Sequence, residues 1–212
     1  MRRRYHLFLT TSAILFLTIA SLWANDPIEF FGGQTEAIIR KGEESVLITE
    51  GAQVTTGDIS ISAHQIHVSG DSYSRLESTG DVTVTDTSQN IVMRTEAISY
   101  NRTVSLLTSE GRTAVEDNDK GITVEAGWMQ YRQKDGHLSF QDSVTLKREN
   151  EDGTMVCKAD IVSYDRSTSQ VVLEGRANVQ WKGDTYQAST IRVNLDTDEI
   201  SMSGDIKGTI NG

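Results

Sequence analysis

A unit of about 30 residues recurs along this chain, and it constrains the fold more than any other feature, because internal repeats impose one supersecondary unit many times over. The unit is marked by a glycine at Gly51, Gly80, Gly111, Gly175 and Gly204, with Asp142 in the fourth place, at intervals of 29, 31, 31, 33 and 29 residues. Four residues before each marker stands an aliphatic side chain: Leu47, Leu76, Leu107, Leu138, Val171 and Ile200. The same parity continues past it in Val82 and Val84, Val144 and Leu146, and Ala177 and Val179. The opposite parity reads Glu77, Thr79, Asp81, Thr83 and, two units on, Ser139, Gln141, Ser143, Thr145. A period of two with one apolar side is a half-buried strand. The marker shares the apolar parity, so it is expected to point inward, where glycine permits a bulge, a bend or close approach of another backbone.

A second strand lies between markers, clearest at residues 155–164 (MVCKADIVSY), with counterparts at 59–68, 91–100, 122–131 and 184–193. Its parity slips once: Ile91 and Met93 point one way, and Ile98 and Tyr100 resume one residue out of phase, as a bulge or a corner between sheets produces. Turn formers such as residues 86–90 (DTSQN), 118–121 (NDKG) and 150–153 (NEDG) separate the two, so consecutive strands join by short antiparallel hairpins. From residue 25 onward there are 16 Val, 15 Ile and 20 Thr against 8 Leu, a branched inventory suited to pleated surfaces. The single proline, Pro27, precedes all of these strands.

The first 24 residues differ. Arg2, Arg3 and Arg4 precede an apolar run from Leu7 to Trp23 with no acidic residue, the layout of a secretory signal. The reading is therefore a signal peptide or uncleaved anchor at 1–24, an N-terminal linker at 25–35 and a single β-domain at 36–212. Loss of the three arginines leaves 17 Lys and Arg against 30 Asp and Glu, a net charge of −13, which argues against nucleic acid as a partner. One cysteine, Cys157, excludes an internal disulfide.

No catalytic constellation survives the strand assignment. His64 and His67 have a metal-like spacing, but three apart on a strand they face opposite sides unless a bulge realigns them. His137 sits in a turn without a nucleophile motif, and Cys157 alternates with Met155 and Ala159 as a small buried hydrophobe. Residues 101–103 (NRT) match a glycosylation acceptor, a three-residue signal too short to weigh. Tyr100, Tyr131, Tyr164, Phe140, Trp128 and Trp181 recur at similar places and read as packing residues. The expectation is no enzyme, no metal and no cofactor.

The phrases at residues 173–179 (LEGRANV) and 76–84 (LESTGDVTV), alternating with 158–164 (KADIVSY), resemble the OstA-like family of lipopolysaccharide-transport proteins, which includes LptA, LptC and the N-terminal domain of the outer-membrane translocon. The resemblance spans about residues 30–210. It implies an all-β fold, an antiparallel jellyroll of two facing sheets, and a periplasmic protein shielding the acyl chains of lipopolysaccharide or a related glycolipid between inner- and outer-membrane components. The repeat pattern alone allows a closed sandwich as well as an open groove. The inward residues expected to line a lipid path are Leu76, Val82, Val84, Leu107, Val115, Leu138, Phe140, Val144, Leu146, Leu173 and Val179. Head-group contacts on so acidic a chain need local cations such as Arg75, Arg112, Arg176 or Lys182. The alternatives are an anchored LptC-like component and a structural β-repeat protein that binds nothing. Residues 200–210 form a marker strand with no successor, and residues 36–49 can supply the opposite edge, so head-to-tail pairing of copies is expected, with Lys207 as a guard against uncontrolled pairing.

Overall fold

The structure, a computed structural model, describes residues 26–211 apart from 41 and 152, so the expected signal segment at 1–24 lies outside the described residues. Fourteen strands follow one another: β1 (Glu29–Phe31), β2 (Gln34–Ile38), β3 (Ser45–Thr56), β4 (Ile59–Ser69), β5 (Arg75–Asp86), β6 (Ile91–Asn101), β7 (Leu106–Asp117), β8 (Ile122–Arg132), β9 (His137–Asn150), β10 (Gly153–Asp165), β11 (Gln170–Trp181), β12 (Asp184–Asn194), β13 (Glu199–Ser203) and β14 (Lys207–Thr209). From β3 to β13 each strand pairs antiparallel with the next. β1 and β2 both flank β3, and β13 and β14 both flank β12, so the sheet is a meander with two unclosed ends. Sheet pairing begins at Glu29, inside the segment expected to be a linker.

Every pairing from β3 through β12 shifts register in mid-strand. Between β5 and β6, for example, Thr79 faces Ala97 and Val82 faces Thr95, which leaves Gly80 and Asp81 opposite Glu96 alone. Two residues against one is a β-bulge, which bends its strand. Aligned across neighbouring strands, the bulges form a crease. Among the described residues no helix longer than a 3-10 turn at Asp71–Tyr73 covers the sheet, yet inward residues such as Leu76, Val84, Leu107 and Leu146 are fully buried. The sheet therefore covers itself, folded along the crease into two facing layers. Residues ahead of the marker (Leu76, Leu107, Leu138, Leu173) lie in the first layer, and residues beyond it (Val84, Val115, Leu146, Val179) lie in the second.

The crease explains the marker and corrects the reading of it. Gly80, Gly111, Gly175 and Gly204 have φ of +79°, +87°, +73° and +71°, and Asp142, the one non-glycine, keeps φ at +67°. Left-handed backbone is what the position demands, and Asp is among the few side chains that tolerate it. The glycines do not point inward; Gly51 and Gly111 are exposed and Gly80 and Gly175 half-exposed at the outer side of the crease. In the first unit the bulge starts at Glu50 (φ +61°), one residue before Gly51. Counting from the glycine therefore misplaces Leu47, which is half-buried, while Val46 and Ile48 enter the core. On the alternate strands the phase slip falls as expected, with Ile91, Met93 and Thr95 buried before it and Ile98 and Tyr100 after it.

Candidate functional site

The interior between the layers is the candidate site. All eleven residues expected to line a lipid path point into it, and none is more than 3% exposed. Backbone pairing sets them beside further apolar groups: Leu138 stands between Tyr131 and Tyr164, Phe140 between Met129 and Val162, and Leu146 between Val124 and Cys157. The same buried stripe runs from Val46 to Leu195 as one hydrophobic cluster. The inward side chains of both layers belong to this one buried cluster. Cys157 is fully buried, and burial pushes its thiol up to about 12, which leaves it protonated and inert.

Near the crease the interior holds a polar inclusion that the apolar pattern conceals. Ser109 Oγ lies 2.7 Å from Thr113 Oγ1, which donates to Thr95 Oγ1 at 3.2 Å. The neighbouring Ser78 hydroxyl is buried without a protein partner among the described residues. Ser78 and Ser109 sit on the inward parity at the position where Phe140 and Leu173 stand in later units, and Thr113 where Val144 and Ala177 stand; those substitutions are the signal that could have found them.

Opposite the crease, the hairpins of the two layers meet along a mouth. The second-layer hairpins that follow β3, β5, β7 and β9 each touch a first-layer hairpin three strands further on. Arg102 Nε donates to Thr56 Oγ1 at 3.2 Å, joining the β6–β7 turn to β3. Tyr131 Oη donates to Asp86 Oδ2 at 2.9 Å. Asp117 accepts from Tyr164 Oη at 3.1 Å and from Arg166 Nε at 2.5 Å and Nη2 at 3.0 Å. Lys120 Nζ donates to Ser169 Oγ at 3.0 Å, and Arg148 pairs with Asp198 at 2.5 Å. Burial, with the facing carboxylates in second place, raises the Tyr131 and Tyr164 phenols, so both stay protonated donors. The hydrogen bond that Arg166 donates to Asp117 raises Arg166, while desolvation lowers Arg102. The tyrosines expected as packing residues therefore also seal the mouth.

The outer faces are polar. The bulge realigns His64 and His67 to this side, where they pair with Asp81 (3.3 Å) and Glu77 (3.9 Å). Among the described residues no group of three or more His, Cys, Asp or Glu could hold a metal. Arg112 and Arg176, expected near a head group, lie on the outer side of the crease, paired with Glu125 and Asp160, and Arg75 is exposed 3.8 Å from Glu77. Lys182 stacks over Trp181, 5.0 Å from the ring centre.

The family described as "LptA/(LptD N-terminal domain) LPS transport protein" matches residues 35–199. No curated protein matches the chain. Among solved structures it is similar to LptH of Pseudomonas aeruginosa, described as the LptA homologous periplasmic component of the conserved lipopolysaccharide transport device. That likeness has 13% identity over 88% of this chain and 96% of the other, with a TM-score of 0.28.

Proposed function

Because the chain belongs to the LptA/(LptD N-terminal domain) lipopolysaccharide-transport family, we propose that it carries lipopolysaccharide across the periplasm with the acyl chains held between its two layers. The observation that carries this reading is the apolar cluster that runs through every repeat from Val46 to Leu195, with the buried carboxylates of Asp86 and Asp117 at its mouth. Each acyl methylene taken from water into it gains about 0.8 kcal/mol, so several chains bind tightly without a charged anchor. The eleven inward residues are packed against their neighbours, so chains enter by parting the layers and exchanging one set of apolar contacts for another. The chemistry called for is shielding, and nothing in the interior acts on a bond.

The two sheet ends are where transport partners or further copies dock. Among the described residues, six of the eight exposed large hydrophobic side chains lie there: Phe30, Phe31, Ile38 and Ile39 beside β1 and β2, Ile206 and Ile210 around β14. Unpaired strand edges flanked by apolar side chains accept another strand, and the short lengths of β13 and β14 together with Lys207 restrain indiscriminate pairing. The charged, apolar start of the chain supports export, with a retained anchor as the alternative role; among the described residues no helix is long and apolar enough to cross a membrane. Mild purification of the exported protein followed by lipid extraction and mass spectrometry tests the reading. Lipopolysaccharide at near one molecule per chain supports it, and lipid-free protein that also fails to take up added lipopolysaccharide refutes it.

A further inference from the structure

The layers cannot part at the crease, because the strands from β3 to β12 pass through it covalently. At the mouth only side-chain contacts hold them. We propose that this row of contacts is a gate: the layers open about the crease to admit acyl chains through the mouth, and the Asp117–Arg166 pair is the catch that sets how often it opens. The inference rests on the lipid reading and adds to it the route and the controlling residues.

The argument is one of what a lipid can replace. Between the layers the contacts are apolar, and an acyl chain supplies the same dispersion contacts it displaces. The mouth contacts are polar and charge-assisted, and an acyl chain offers nothing in exchange for them. Asp117 concentrates them, since one carboxylate of the second layer gathers the Tyr164 hydroxyl and two Arg166 donors of the first. Its side chain is 3% exposed and that of Arg166 is 9% exposed, so both are dry while the mouth is shut. Opening hydrates both at once, which gives the pair two stable situations, paired and buried or separated and wet, with little between. Arg166 also reaches the Gln89 carbonyl at 2.9 Å, so the same guanidinium fastens two hairpins of the second layer. The crease provides the hinge, since bulges and left-handed residues interrupt the regular ladder there.

The test uses the full exported protein with Asp117→Asn, Arg166→Gln and, as a variant that keeps shape and loses a single hydroxyl, Tyr164→Phe. Hydrogen exchange reads opening at the mouth amides of Gln133 and Arg166, which bond to the Ser105 and Gly136 carbonyls, against the crease amide of Ser189, which bonds to Gly204. Stopped-flow mixing with fluorescent lipopolysaccharide reads uptake. Asp117→Asn and Arg166→Gln are expected to speed both mouth exchange and uptake about tenfold or more, the factor that follows from losing one charge-assisted hydrogen bond. Tyr164→Phe is expected to move both the same way by less, with crease exchange unchanged, and Arg176→Gln on the outer face should change neither. Faster mouth exchange with unchanged uptake would overturn the gate and leave the lipid reading standing. Wild-type protein that takes up no lipid would overturn both. If the charge variants fail to fold, Tyr164→Phe decides alone, and uptake at the wild-type rate with faster mouth exchange counts against the gate.

Discussion

Alanine at Gly111 and alanine at Gly175 should separate the two demands the crease makes on its residues. Both glycines have left-handed backbone, φ +87° and +73°. A Cβ at Gly111 meets nothing within 4 Å, so Gly111→Ala introduces backbone strain alone, about 1 kcal/mol. A Cβ at Gly175 would stand 2.6 Å from Asp160 Oδ2 and 3.0 Å from its Cβ, and Arg176 holds that carboxylate in place. Gly175→Ala therefore adds a clash to the strain and should cost roughly 2–3 kcal/mol. Equilibrium urea unfolding, with a slope of about 2 kcal/mol per molar, would show midpoint falls of about 0.5 M for Gly111→Ala and more than about 1 M for Gly175→Ala. Equal midpoints for the two variants would refute the role given to Asp160, and no change in either would refute the crease as a row of required left-handed residues.

Leu138→Ala, at a site 1% exposed, should destabilise by about 2–5 kcal/mol, and saturating lipopolysaccharide at about 100 times its Kd should restore about 2.7 kcal/mol, measured as a shift in thermal midpoint. Cys157 should resist iodoacetamide at pH 8 in the folded protein and react on addition of urea, because burial keeps its pKa near 12. Removing the exposed Arg176–Asp160 pair by Arg176→Gln should leave the urea unfolding midpoint almost unchanged, because water screens an ion pair on the outer face. Light scattering across a concentration series should show self-association of the mature protein that a version ending at Gly204 loses, since β14 is then absent.

The repeat made most of the fold legible, because a period of two written six times admits few assignments other than strands joined by hairpins. Leu76, Leu107, Leu138 and Leu173 could be assigned to one buried face from parity alone, and the phase slip of the alternate strands marked the crease. Glycine was legible as a bulge and misleading as to direction: parity counting treats a bulge residue like any other, whereas left-handed backbone swings it outward. Glu50 shows the cost of counting from residue type, because the left-handed pair there is Glu50 and Gly51, starting one residue earlier than in units such as Gly80 and Asp81, and Leu47 drops out of the core. The mouth was illegible for a different reason. Asp86 with Tyr131 and Asp117 with Tyr164 lie 45 and 47 residues apart, a separation set by how far the layers turn against each other, which no single repeat encodes. Asp117 reads in sequence as a solvated turn residue, and only the first layer's approach makes it a buried acceptor.

A photocrosslinking amino acid placed in turn at Phe140 and at Ser139, in cells making lipopolysaccharide, tests the central claim most directly. The two positions are adjacent on β9, with Phe140 fully buried between the layers and Ser139 on the outward face. The account predicts capture of lipopolysaccharide from position 140 and little from position 139. Equal capture from both, or capture from position 139 alone, would contradict a lipid path between the layers.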